Sequence, residues 1–284
     1  MKVIGEAALL ARLGQVQSLP ALPMVVNAVS RRMGNSSAHA TEIARLMAHD
    51  QALTARVLKL ANSAFYSPKE PVRSPEQAVV MLGFGTVRGI VLKASIFSAY
   101  DVSRERSFWL HALGTACAAR AVAQMSGVVS GDDAFIMGLL HDVGKLALNE
   151  FLPDLYHPVR AAVAKEGGLL RDAELRLLGC DHAAVGRFLC EHWSLPAMYR
   201  DAIAGHHDLS LVQDKHKPLA ACVQLADIVA RSLLIGSGGD HAMPVLDHRA
   251  LKLLQIRTEQ FEALFRATEN ELGRAEVFFT IING

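Results

Sequence analysis

Between Gly138 and Lys145 the chain reads Gly-Leu-Leu-His-Asp-Val-Gly-Lys, an adjacent His141–Asp142 pair inside an apolar stretch, with Lys145 one helical turn later. Ionisable side chains buried among apolar neighbours are costly unless they find partners. The segment therefore constrains the fold more than any other, because its partners must be brought in from elsewhere in the chain. Candidates lie on both sides: His111 upstream, then His182, the His206–His207 pair and Asp227 downstream. Several imidazoles and two carboxylates on separate apolar helices are what a buried two-metal site needs. Histidine is also unevenly placed, with nine of twelve at or after His141.

The surrounding sequence reads as all-α. Of the 284 residues, 51% are hydrophobic and only 6% aromatic, with much Ala and Leu, which suits helices packed by small and aliphatic side chains. After the Pro-stiffened entry Leu19–Pro23, helical spacing is expected over Met24–Met33, after Thr41, and after Asp50, where Leu53, Val57, Leu60 and Ala64 share one face. Ser74-Pro-Glu-Gln77 combines a Ser cap, Pro at the first helical position and Gln at the third. That helix should end near Gly83, and Thr86 should open the next. A charged stretch over Asp101–Arg106 without apolar spacing marks the expected boundary, dividing the chain into 1–105 and 106–284. Beyond it, helices are expected over Phe108–Met125, Asp133–Glu150, Pro158–Glu166, Arg171–Leu178, His182–His192, Ala197–Gly205 and Leu219–Leu234. Terminal helices are expected over Asp247–Ile256 and Thr258–Glu271. Ile235–Asp240, with its Gly-Ser-Gly-Gly, reads as a flexible loop. No strand is expected.

Bulk properties exclude several functions. A formal charge of +1 provides no global field for nucleic acid or an anionic membrane. Apolar runs fall well short of the roughly 18 residues that span a bilayer, and the N-terminal residues read as an amphipathic helix rather than a signal peptide. Cys117, Cys180, Cys190 and Cys222 lack C-x-x-C spacing and sit among apolar neighbours, so buried reduced thiols in a cytoplasmic protein are expected.

Metal-binding imidazoles must be neutral and fixed, and carboxylates must offset part of the ion's charge. On a helix, His141 and Asp142 point about 100° apart, so each can face one side of a cup while Gly138 and Gly144 keep the backbone thin. His206 and His207 repeat the device. Asp227 lies within Leu-Ala-Asp-Ile-Val, where the cost of an unpaired carboxylate calls for a partner cation. Two divalent ions facing Asp142 and Asp227 leave positive charge for a phosphate ligand, whose oxygen Lys145 would hold, and for a bridging hydroxide. The excess of His over Asp favours iron, manganese or zinc over magnesium. Taken singly, a His-Asp dipeptide is a chance event and His182 reads as a helix cap or a satisfied surface residue. His157, His192, His216, His241 and His248 lie in polar or loop contexts and are set aside. Only the combination points to metal.

This order of residues resembles the HD superfamily of metal-dependent phosphohydrolases. The first third is similar to something narrower. Leu19-Pro-Ala-Leu-Pro23, Asp50-Gln-Ala-Leu-Thr-Ala-Arg-Val-Leu-Lys-Leu-Ala-Asn-Ser63, Ser74-Pro-Glu-Gln-Ala78 and Leu82-Gly-Phe look like the HDOD domain of bacterial signalling proteins. The resemblance covers roughly residues 14 to 230. It implies an N-terminal helical subdomain (1–105) packed on an HD-like helical bundle (106–284), and a role in signal transduction without established catalysis. It also implies that His111, His141, Asp142, His182, His206, His207 and Asp227 fall where related HD-GYP cyclic-dinucleotide phosphodiesterases place metal ligands, with Lys145 on their phosphate-contacting lysine. Two departures weaken the enzyme analogy. Ser107 stands where some of those enzymes carry Glu, and Asp208–Pro218 holds no Gly-Tyr-Pro loop.

Three functions compete. A regulatory module would bind a protein partner or a nucleotide, and with no receiver, kinase or output domain attached, the signalling partner is expected in trans. A two-metal phosphodiesterase or phosphohydrolase would turn over a nucleotide-like substrate, with Asp142 and Lys145 at the reacting centre. Nucleic-acid binding would use Asp50–Lys93, with its six basic against three acidic residues, but an ordinary solvated face accounts for that run. The first reading is preferred and the second follows it.

Overall fold

The computed structural model describes residues 3–16, 51–62, 68, 70–82, 87 and 106–283, and among these there is no strand. The helices expected over Met24–Met33, after Thr41 and after Thr86, and the boundary at 101–105, lie outside the described residues.

Among the described residues, three helices precede the site-bearing part: α1 (Glu6–Gly14), α2 (Gln51–Ala61) and α3 (Pro75–Leu82). The Ser74 cap forms as its sequence predicts. Gln77 N donates to Ser74 Oγ at 3.2 Å, and Gln77 Oε1 accepts from Arg73 N and Ser74 N at 2.9 and 3.3 Å. Asn62 of the Leu-Ala-Asn-Ser run ties the end of α2 to the approach of α3. Its amide nitrogen donates to Leu58 O and Val72 O, and its Oδ1 accepts from Val72 N at 2.7 Å. One side chain thus fixes both ends of the connection.

The rest is built around α4 (Arg106–Ser126), which packs against α5 (Gly131–Leu140), α11 (Lys217–Ser232) and α13 (Phe261–Asn283). Buried residues occur all round α4, as a central helix requires. Between α5 and α11 run α6 (Val143–Phe151), α7 (Pro153–Glu166), α8 (Leu170–Leu178), α9 (His182–His192) and α10 (Ala197–Gly205); α12 (Ala250–Leu254) precedes α13. Helix α9 packs on both α6 and α10, while α1 docks on α9 and α2 on α13.

Two expectations change here. The single helix expected over Asp133–Glu150 is two, broken at His141–Asp142, where Asp142 leaves helical geometry at φ −98°, ψ 12°. Both side chains of the break face one cup. Helix α7 starts at Pro153, not Pro158. Pro153 occupies the first helical position, and Pro158 is accommodated inside the helix.

Close approach depends on two glycines. A Cβ on Gly138 would stand 2.7 Å from Thr115 O and from Ala116 Cα, and one on Gly144 would stand 2.0 Å from His182 O. These are backbone atoms of α4 and α9, so neither helix could pack as it does around a larger residue.

Candidate metal centre

All the side chains expected to converge do so. His111 comes from α4, His141 and Asp142 from the α5–α6 break, His182 from the first turn of α9, His206 and His207 from the end of α10, and Asp227 from α11. His111, His141, Asp142, His182, His206 and Asp227 are at most 2% exposed. Asp142 is the hub. Its Oδ1 lies 3.1 Å from His182 Nε2 and 3.9 Å from His206 Nε2, and its Oδ2 lies 3.3 Å from His141 Nε2 and 3.8 Å from His111 Nε2. Asp227 Oδ1 lies 3.0 Å from His111 Nε2 and 3.8 Å from His141 Nε2. Two groups result that could each hold an ion, Asp142–His182–His206–His207 and His111–His141–Asp142, sharing Asp142.

The backbone fixes the imidazoles. Nδ1 of His141 lies 2.8 Å from Gly138 O and Nδ1 of His206 lies 2.6 Å from Ile203 O. A carbonyl only accepts, so Nδ1 is the donor in both rings and Nε2 is the atom turned to the cup. Nε2 of His206 is buried without a hydrogen-bond partner, and Nε2 of His111 and His141 meets the carboxylates of Asp142 and Asp227. Buried polar atoms are ordinarily paired. Imidazole nitrogens and carboxylate oxygens gathered within 4.8 Å of one another in each group are what a divalent cation satisfies, and the donor set fits one.

His182 is held differently. Glu174 on α8, fully buried, places Oε2 2.6 Å from His182 Nδ1 and 2.9 Å from His182 N, while its Oε1 accepts from Tyr156 OH at 2.8 Å. Nε2 of His182 lies 2.9 Å from His207 Nε2, close enough to share a proton. Burial works against a charged His182, but the Glu174 carboxylate and the hydrogen bond to Asp142 outweigh it and raise the pKa to about 9. His206 goes the other way, to about 3, through burial and the charges of His141 and His182. Burial and the neighbouring rings of His206 and His182 also hold His207 well below the usual imidazole range. Asp142 is pushed up by burial, yet His141 and Lys145 keep it ionised far below the ordinary carboxylate range.

A ring of ion pairs closes the cup. Lys145 Nζ donates to Asp142 Oδ2 at 2.9 Å, to Gly238 O at 3.0 Å and to Asp240 Oδ2 at 3.1 Å, which engages all three of its protons. Arg231 Nε donates to Asp227 Oδ1 at 2.8 Å, and its Nη2 to Asp240 Oδ2 at 2.9 Å. Each of the two cup carboxylates therefore has its own cation, and the two cations share Asp240. Charge counting with Asp142 and Asp227 alone was incomplete. Four buried carboxylates (Asp142, Asp227, Asp240, Glu174) face Lys145 and Arg231. The partner cation that Asp227 required is Arg231, one helical turn along α11.

Sequence reasoning missed Glu174, Arg231 and Asp240. Glu174 carried a signal, since Leu170, Ala173, Glu174 and Leu178 form one buried stripe on α8 in which the glutamate is out of place. Arg231 stood at i+4 from Asp227, a spacing that pairs charges on a helix. Asp240 had no periodic signal, and Ile235–Asp240 is no free loop: Ser237 N donates to Ser107 O at 3.0 Å, and Gly238 is buried against the cup. The four cysteines are buried free thiols, and no helix among the described residues is long and apolar enough to cross a membrane.

Comparison with known proteins agrees with this architecture. A crystal structure of an HDOD domain protein of unknown function from Geobacter sulfurreducens superposes with a TM-score of 0.72 at 29% identity, covering 96% of this chain and 95% of that one. A protein from Shewanella amazonensis SB2B, named provisionally as a phosphohydrolase, gives the same TM-score at 23% identity over 97% of this chain and 98% of its own, a likeness of fold. An uncharacterized protein of Treponema pallidum (strain Nichols) is 23% identical over 252 residues, 87% of this chain. The chain spans about half of that relative's length, 48%. The HDOD domain family matches residues 19–209, so the ring of histidines and aspartates described above belongs to a member of the HDOD domain family.

Proposed function

We propose that the chain is a signalling module whose HD-like cup binds two divalent ions (iron, manganese or zinc) and a phosphate-bearing ligand such as a nucleotide, and reports the occupied state to a protein partner in trans. The observation that carries the reading is the set of ring nitrogens of His111, His141, His182, His206 and His207 packed around the Asp142 carboxylate. Such atoms would be a standing cost in a purely structural core. His182, His206 and His207 with Asp142 would hold one ion, and His111, His141 and Asp227 with Asp142 the other. Bound there, the ions would supply positive charge for a phosphoryl oxygen and lower the pKa of a bound water.

The residues themselves favour binding over turnover. Lys145, the group that would hold a non-bridging oxygen, is saturated by Asp142, Gly238 and Asp240. Gly238 packs directly over His111 and Asp142. The second reading, a two-metal phosphohydrolase or phosphodiesterase, keeps its support from the complete ligand set and from the provisional name of the Shewanella neighbour.

The two readings part on one assay. Manganese-loaded protein is incubated with bis(p-nitrophenyl) phosphate and with a panel of cyclic dinucleotides, beside His141→Ala. The module reading expects no hydrolysis that depends on His141. Multiple turnovers abolished by His141→Ala would establish the enzyme.

A further inference from the structure

The segment between α11 and α12 crosses the mouth of the cup, and its backbone is tailored to do so. Gly236 sits at φ +62°, and a Cβ there would stand 2.3 Å from Ser107 O and 2.4 Å from His111 N, both backbone atoms of α4. A Cβ on Gly238 would stand 3.0 Å from Asp142 Oδ2 and 3.1 Å from His111 Nε2. The segment is tacked down along its length: Ser237 N to Ser107 O at 3.0 Å, Lys145 Nζ to Gly238 O at 3.0 Å, and His241 N to Gly168 O at 3.0 Å.

Its far end is an anion in a socket. The Asp240 side chain is 4% exposed, with Oδ2 accepting from Lys145 Nζ at 3.1 Å and Arg231 Nη2 at 2.9 Å, and Oδ1 accepting from Leu170 N at 2.6 Å. Two cations and a backbone N–H converging from different elements form a site for an oxyanion. A carboxylate offers two oxygens and one charge to three donors. A phosphate group offers three oxygens and up to twice the charge. The segment is also a wall. On one side lies a cavity of about 440 Å³ bordered by Lys145, Asn149, Arg160, Gly238 and Gly239. On the other lies one of about 230 Å³ bordered by His206, His207, Asp227, Arg231 and Asp240. Moving the wall aside joins them into one cleft around the socket.

We infer that residues 235–240 are a resident strap, and that the Asp240 carboxylate holds the place of a phosphate group between Lys145 and Arg231. A phosphate-bearing ligand enters by displacing Asp240, and the strap's departure is the conformational change that a partner can read. The inference rests on the proposed reading of the cup as a ligand site, but not on the metal.

The test uses the full chain treated with chelator and inorganic phosphate as the probe. Calorimetric titration of the unsubstituted protein and of Asp240→Asn should show at least a ten-fold lower Kd in the variant, because the resident competitor has lost its charge. In the unsubstituted protein, saturating phosphate should speed hydrogen exchange at the amides of 237–240. Equal affinities, tighter binding by the unsubstituted protein, or no binding by the folded variant would overturn the strap. If Asp240→Asn does not fold, the exchange measurement decides alone, and unchanged or slower exchange overturns it. Metal is absent throughout, so failure here leaves the metal reading standing, and a cup that takes up no metal leaves the strap standing.

Discussion

Glu174 Oε2 lies 2.6 Å from His182 Nδ1, and this pairing orients the imidazole that faces Asp142 from α9. A carboxylate behind a ligating histidine fixes the ring and raises its basicity. Glu174→Gln should therefore lower the affinity for manganese or zinc by about 10–100-fold, measured by competition with a chelating dye. The variant should keep its helical circular-dichroism spectrum. Unchanged affinity would remove Glu174 from the site.

The opposed shifts of His182 and His206 predict a stability maximum in the metal-free protein. His206, near 3 when folded, and His207, also lowered, take up protons only on unfolding. Their contribution is present above the ordinary value of 6.5 and falls away as the pH drops toward the folded value. His182, near 9 when folded, contributes fully below 6.5 and loses that contribution as the pH rises through 9. Thermal melts of chelator-treated protein should peak near neutrality and decline on both sides. Metal takes the place of the His182 proton, so loading should abolish the alkaline decline.

Arg231 changes what Asp227→Asn should do. Were Asp227 an uncompensated buried charge, removing it would stabilise the empty cup. Arg231 Nε bonds it at 2.8 Å, so the substitution leaves a largely buried guanidinium with Asp240 as its remaining carboxylate. The metal-free protein should lose about 1–3 kcal/mol, read from denaturant midpoints. A gain in stability would mean the ion pair contributes nothing.

Gly144→Ala should be among the costliest single-methyl additions in the chain. The added carbon would meet His182 O at 2.0 Å and Gly186 N at 2.9 Å, backbone atoms that cannot turn aside. A loss of about 3 kcal/mol is expected, with weakened metal affinity because α9 carries His182 away from Asp142. A calorimetric melt and a metal titration on the same sample check both. Gly127→Ala, at an open position with φ +66°, separates backbone strain from crowding.

Helices and the converging side chains were legible for the same reason: both leave periodic or clustered marks. The Ser74 cap, the α9 start at Asp181-His182 and the convergence of His111 through Asp227 could be read because each follows from local chemistry or from the cost of burial. The break at His141–Asp142 could not, since apolar spacing runs straight through it. Asp240 was hidden for a related reason. Gly-Ser-Gly-Gly reads as flexibility, yet here glycine permits a backbone to lie against His111 and Asp142. Composition cannot distinguish a free loop from one that needs the room.

The central claim is that these histidines and aspartates hold metal, and the most direct measurement is elemental analysis of anaerobically purified protein beside His141→Ala. The account predicts close to two equivalents of iron, manganese or zinc per chain, with most of it lost in the variant. Protein that carries no transition metal as purified, and takes up none when loaded with each of the three, would contradict it.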